Sequence, residues 1–167
     1  MIKNPSFILT LLILFISGCS KTKNGFSLDE LNSLSSMNIN EFESYVLSKG
    51  YELRENTASF YYYGKSVNDP RIEDSVDDII SWEEDEGKQT VAYQCSNKDY
   101  YLKIKEEVAK SDFKFINRVV SLSMIDTKLN YSDKDISLTL VTIPKSKKIG
   151  TEKNYYRIEI TRSLQSD

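Results

Sequence analysis

Apolar positions along the chain recur with two different periods, and the alternation between them marks out the elements. Leu28, Leu31 and Leu34 follow at one-turn spacing behind Ser27-Leu28-Asp29-Glu30, a capping-box pattern that predicts a short helix over 28–35. Ile39, Phe42 and Val46 make the stripe of a second helix over 39–49, with Asn38 or Asn40 to cap it and Gly50 to end it in a left-handed turn. Tyr51 and Leu53 then alternate with polar residues as a strand opens. Residues 59–64 predict another strand, with Phe60 and Tyr62 on one face and Tyr61 and Tyr63 on the other. Strands over 78–83 and 89–95 flank Glu83 to Gly87, which reads as a charged hairpin loop. Ser96-Asn97-Lys98-Asp99 repeats the capping pattern ahead of Tyr101, Ile104 and Val108, the stripe of a third helix reaching about Ser111. Phe113, Phe115 and Val119 then alternate toward Met124, and further strands are predicted over 127–131, 136–143 and 155–162.

This order predicts the α+β class, an antiparallel sheet with its helices on one side. Sliding the chain by 62 residues lays Phe42, Val46, Leu47, Tyr51 and Leu53 onto Ile104, Val108, Ala109, Phe113 and Phe115. In both places an amphipathic helix ends at a residue that tolerates positive φ, Gly50 or Asp112, and an aromatic opens a strand. The correspondence is one of pattern more than of identity. It suggests a tandem α-β-β-β repeat over 38–97 and 98–162.

The start of the chain has a different character. Lys3 precedes Phe7 to Ile16, an uncharged run of ten residues, apolar but for Thr10 and too short to span a bilayer of about 30 Å as a helix. Ile16-Ser17-Gly18-Cys19 follows. This stretch resembles the lipobox of bacterial lipoproteins, usually leucine, then alanine or serine, then glycine or alanine, then cysteine; Ile16 stands in the place of leucine. Small residues at Ser17 and Gly18 suit the approach of a peptidase, and the Cys19 thiol is a nucleophile that can take up a diacylglyceryl group. The resemblance implies a signal peptide over 1–18, a lipidated Cys19, a polar tether over 19–27 and a single domain over 28–167. Ser20 after the cysteine resembles outer-membrane sorting. The remainder resembles small envelope lipoproteins, a likeness that implies membrane attachment through acyl chains and brings no established activity with it.

Composition narrows the chemistry. Cleavage before Cys19 would leave 149 of 167 residues, enough to bury a core of its own. Loss of Lys3 would take the formal net charge from −3 to −4, which argues against nucleic acid as a partner. No histidine is present, which removes Ser/His/Asp and Cys/His nucleophile activation and His-ligated zinc. Alternation puts Cys95 on the face of Val91 and Tyr93 and predicts its burial. Ser111-Asp112-Phe113-Lys114 fits S-x-x-K, but that motif should open a buried helix and Ser111 closes one. Neither Asp69 to Glu86 nor Asp133 and Asp135 have the ligand spacing of a calcium loop. The expectation is a non-enzymatic protein with no cofactor and no metal.

Surface character remains. Asp69 to Glu86 holds nine acidic residues against Arg71 alone, while residues 144–162 hold six basic against two acidic. Such segregation steers a partner of opposite charge. It makes Glu83, Glu84, Asp85 and Glu86 the candidate surface of a protein-binding module, for example an immunity-type inhibitor of a toxin or an envelope enzyme. The alternative is glycan or small-ligand binding through exposed tyrosines, with Tyr61 and Tyr63 as the stacking candidates. On the lipobox reading, Cys19→Ala abolishes incorporation of labelled palmitate and leaves the precursor unprocessed, and autoradiography with a mobility shift checks both.

Overall fold

The computed structural model describes residues 25–66, 76–121, 126–144 and 154–164. Cys19 and the apolar leader, residues 69–75 of the acidic run, residues 122–124 of an expected strand and the lysines at 145, 147 and 148 lie outside the described residues. Eleven elements follow in order: α1 (Leu28–Leu34), α2 (Ile39–Ser48), β1 (Glu52–Asn56), β2 (Phe60–Ser66), β3 (Val76–Asp85), β4 (Lys88–Cys95), α3 (Lys98–Lys110), β5 (Lys114–Val120), β6 (Thr127–Asp133), β7 (Ile136–Ile143) and β8 (Tyr155–Ser163). The strands form one eight-stranded sheet in the order β1-β2-β3-β4-β8-β7-β6-β5, every neighbouring pair antiparallel. The class is α+β, dominated by the sheet. No helix among the described residues is long and apolar enough to cross a membrane.

The helices form where their caps are satisfied. Ser27 and Glu30 exchange side-chain and backbone hydrogen bonds around the start of α1, and Asn38 and Glu41 do the same for α2. The cap of α3 is Asn97, one residue later than the expected Ser96. The Asn97 carbonyl accepts the first helical bond from Tyr101 N at 3.2 Å, and its side chain accepts from Tyr100 N at 3.0 Å. Gly50 adopts φ +82° after α2. Asp112 takes no such conformation, and α3 instead ends through an extended Ser111 whose hydroxyl donates to the Val108 carbonyl at 2.7 Å.

All three helices pack on one face of the sheet. Phe42 of α2 meets Tyr63 edge-on at 5.8 Å, and Tyr101 of α3 stacks on Tyr156 at 4.7 Å. Between them α1 lies over β4, burying Leu28, Leu31 and Leu34. Beneath the helices run Tyr63, Ile80, Val91, Tyr93, Cys95, Leu138, Leu140, Ile158 and Ile160, each 1% exposed or less. Buried polar groups close the helix layer onto this face. Trp82 Nε1 and Gln89 Nε2 both donate to the Met37 carbonyl, at 3.3 and 2.8 Å, in the turn between α1 and α2.

Four strands follow each of α2 and α3, where three were expected. The slips in register within β1 and β5 fall between Leu53 and Glu55 and between Phe115 and Asn117, positions 62 residues apart. The expected loop from Glu83 to Gly87 is shorter than its charge suggested. β3 continues to Asp85, which pairs with Lys88, and the chain reverses through Glu86 and Gly87 at φ +48° and +72°. Successive positive φ angles make a two-residue hairpin turn whose twist matches the strands, and glycine relieves the strain at its second position.

The expected tether over 19–27 also ends earlier, because residues 25–27 belong to the fold. Phe26 is 1% exposed and lies 5.4 Å from the ring of Tyr51 and 5.3 Å from that of Tyr93. Tyr100 donates its hydroxyl to the Phe26 carbonyl. Gly25 sits at φ +101°, where a Cβ would come within 2.5 Å of the Tyr100 ring. Only glycine lets the backbone lie against that ring. Phe26→Ala should therefore cost about 3 to 5 kcal/mol of stability, measured as a lower urea midpoint with an unchanged slope.

Candidate interaction site

The sheet face away from the helices carries the acidic hairpin. Trp82 and Gln89 point under the helices, so their neighbours Glu83 and Thr90, and in turn Asp85 and Lys88, point to the opposite side. Glu83, Asp85, Glu86, Lys88 and Thr90 surround a shallow depression of about 190 Å³. Glu84 does not join them. It pairs with Gln89 on the helix side, so three of the four expected carboxylates converge and the fourth faces away.

A second turn completes this end of the sheet. β6 and β7 reverse at Lys134, φ +52°, flanked by Asp133 and Asp135. The end of β8 runs between the two turns, with Leu164 N donating to the Gly87 carbonyl at 2.7 Å and Ser163 N to the Asp135 carbonyl at 3.3 Å. The rim at this end of the sheet thus carries Glu83, Asp85 and Glu86 on the open face and, across β8, Asp135 beside Arg162, while Asp133 pairs with Ile136 on the helix side. The Asp-Lys-Asp tip between two alternating runs carried the signal for this second contribution, but alternation alone does not say which turns share an end of the sheet.

Part of the basic segment is neutralised within the molecule. Arg157 pairs with Glu159 at 2.7 Å, and Arg162 lies 3.6 Å from Asp135 while donating to Asn32 at 3.2 Å. Among the described residues no group of three or more Cys, Asp and Glu side chains is arranged to hold a metal ion.

Of the two stacking candidates, Tyr63 is not available and Tyr61 is only partly so. Tyr63 is fully buried, donates to Glu43 at 3.1 Å, and its phenol is held well above the usual range by burial and by that carboxylate. Tyr61 is half-buried and meets Trp82 edge-on at 6.0 Å. Aromatics occupy both faces of β2, so its alternation carried no sign of which face α2 would cover. Tyr62, opposite Ser81, is the one on the open face, and it is half-buried.

Sequence reasoning missed a groove between α1 and α2, an open depression of about 770 Å³ lined by Ser33, Ser36, Met37, Asn40, Ser44 and Tyr45 among others. Tyr45, which lines it, belongs to a charged knot. Tyr45 donates to Glu30 Oε1 at 2.8 Å, Lys49 Nζ reaches the same oxygen at 2.6 Å, and Ser27 N donates to Oε2 at 2.8 Å. Burial alone would raise the Glu30 carboxyl. The hydrogen bonds from Lys49, Ser27 and Tyr45, with the Lys49 charge, outweigh it and pull the pKa from 4.5 down to about 2. Lys49 also stands 5.8 Å over the Phe26 ring, so the knot clamps the residue that plugs the core.

No protein-family model, curated protein or solved structure matches the chain. A depressed carboxyl stabilises the fold above its unfolded pKa and loses that contribution as pH falls through the folded value. Glu30→Gln should therefore lower the thermal midpoint at pH 7, with the gap to the natural protein closing between about pH 4.5 and 2, read by circular dichroism across that range.

Proposed function

We propose that the chain is a lipid-anchored envelope protein whose domain is a non-enzymatic interaction module, presenting an acidic rim to a basic protein such as a toxin or an envelope enzyme. One observation carries this reading: the acidic rim and the point where the chain joins the fold lie at opposite ends of the sheet. β4 runs from Lys88 at the rim to Cys95, beside Tyr93 and the Phe26 plug, a span of about 24 Å. An anchor at Cys19 would leave the rim facing away from lipid. The absence of histidine supports a binding role over catalysis.

Our reading of the architecture is a tandem pair, helix and four-stranded meander twice over, joined between the last strands of each half. The 62-residue spacing of the helix–strand junctions and of the two register slips supports it.

A second reading keeps ligand binding but moves it from Tyr61 and Tyr63 to the groove between α1 and α2. Hydroxyls, an amide, the Glu41 carboxylate and the Tyr45 ring there offer the mixed polar and aromatic lining that a polyol or glycan uses.

Charge reversal separates the two. With the full chain immobilised and exposed to envelope and secreted extracts, Glu83→Lys, Asp85→Lys and Glu86→Lys together should weaken capture of a basic partner roughly tenfold or more and remove its salt dependence. Capture that persists unchanged, with the same response to salt, would sink the acidic-rim reading. A response confined to Tyr45→Ala and Asn40→Ala, read against a glycan panel, would favour the groove.

A further inference from the structure

β1 and β5 are the two outer edges of the sheet, each follows its helix, and each carries its register slip 62 residues from the other. In chemistry they part company. β1 presents Glu52, Arg54, Glu55 and Asn56 to water, with Arg54 and Glu52 paired at 3.1 Å and Leu53 as its single large apolar side chain. β5 is exposed along its whole length, yet Phe115, Ile116, Val119 and Val120 are 47% to 58% exposed. Its charges, Lys114 and Arg118, are both positive, and Lys128 stands opposite Val119 on β6. Among the described residues β6 is the only strand paired with β5. Edges are ordinarily blunted by charge, as β1 is. β1 therefore serves as a control within the molecule: at the corresponding place, with the corresponding slip, β5 stays apolar and carries charge of one sign.

We propose that the outer edge of β5 binds an extended segment of a partner protein by strand addition, a segment that alternates apolar side chains with carboxylates. Main-chain N–H and C=O groups along the edge supply the pairing. Pleating puts Phe115, Arg118 and Val120 on the helix side and Lys114, Asn117 and Val119 on the other, so the apolar side chains of the segment cover Phe115 and Val120 while its carboxylates meet Lys114 and Lys128. Charge complementarity selects this occupant over a second copy. A second β5 laid antiparallel about Asn117 brings the two Arg118 side chains into diagonal contact and answers neither lysine with a carboxylate. A second copy's β1 brings carboxylates but sets Leu53 alone against four apolar side chains. The site is separate from the acidic hairpin of β3 and β4 and calls for the opposite charge in its partner.

Fluorescence anisotropy of the full chain in detergent micelles, titrated with two labelled and blocked heptapeptides, tests the proposal. One peptide alternates valine with glutamate, the other valine with lysine. The glutamate peptide should saturate, and the lysine peptide should bind roughly tenfold or more weakly. Lys114→Glu with Lys128→Glu should reverse that order of preference, Val120→Lys should weaken both, and reversal of the hairpin carboxylates should change neither. These side chains are exposed, so the variants keep the thermal midpoint of the natural chain. Equal binding of the two peptides, binding of neither, or full binding of the glutamate peptide by the Lys114→Glu, Lys128→Glu variant would overturn the proposal. So would sedimentation of the chain as a dimer that Val120→Lys dissociates, because the edge would then belong to a second copy.

Discussion

The pairing of β4 with β8 is the joint on which the rest of the molecule hangs. It runs from Lys88 opposite Ser163 to Cys95 opposite Tyr156 and turns two meanders into one sheet. Its two faces contribute unequally. On the helix side Val91 lies opposite Ile160 and Tyr93 opposite Ile158, all 1% exposed or less, and burial of each such side chain stabilises the fold by roughly 1.5 to 3 kcal/mol. On the other side the Thr90 and Thr161 hydroxyls meet at 3.0 Å and Arg157 pairs with Glu159. A half-exposed ion pair of that kind is worth at most about 1 kcal/mol. Apolar rows therefore decide the joint, and the polar side sets its solubility. Without it β4 and β8 would each be an unpaired edge rich in apolar side chains, the arrangement most prone to wrong pairing.

The helix layer reinforces the same joint. α1 sits over β4, and Leu28 N at its start donates to Glu107 of α3 at 2.9 Å. Arg162 near the end of β8 reaches Asn32 on α1. A seven-residue helix is too short to persist alone. It persists here because its three leucines are buried and its ends are tied to both halves. Phe26 extends that logic to the start of the fold, filling a ring of tyrosines whose phenols burial keeps protonated.

Local signals in the chain were faithful to local structure. Cap residues and one-turn apolar spacing located α1, α2 and α3 to within about two residues, and alternation located most strands and the burial of Cys95. What alternation lacks is a sign. At β2 both faces are aromatic, so only the packing of Phe42 decides that Tyr63 turns inward. At the acidic hairpin, four adjacent carboxylates looked like a loop, yet pleating splits them between faces once Asp85 pairs with Lys88. Phe26 lay beyond any periodic run, and a single aromatic after a polar stretch does not announce a plug. The neighbours of β4 were beyond reach for a different reason, since its contact with β8 joins residues far apart in the chain.

That distant contact bears on how the molecule can be assembled. β8 is the last described strand in chain order but occupies the interior of the sheet, not its rim. A chain emerging from its amino end can complete α2 and the meander from β1 to β4 early, then must leave the apolar edge of β4 open while sixty or so further residues arrive. Loss of the final strand would remove the middle of the sheet and leave two halves with nothing between them. β8 is thus the keystone of the described sheet, and the interval before it arrives is when a chaperone would have most to protect.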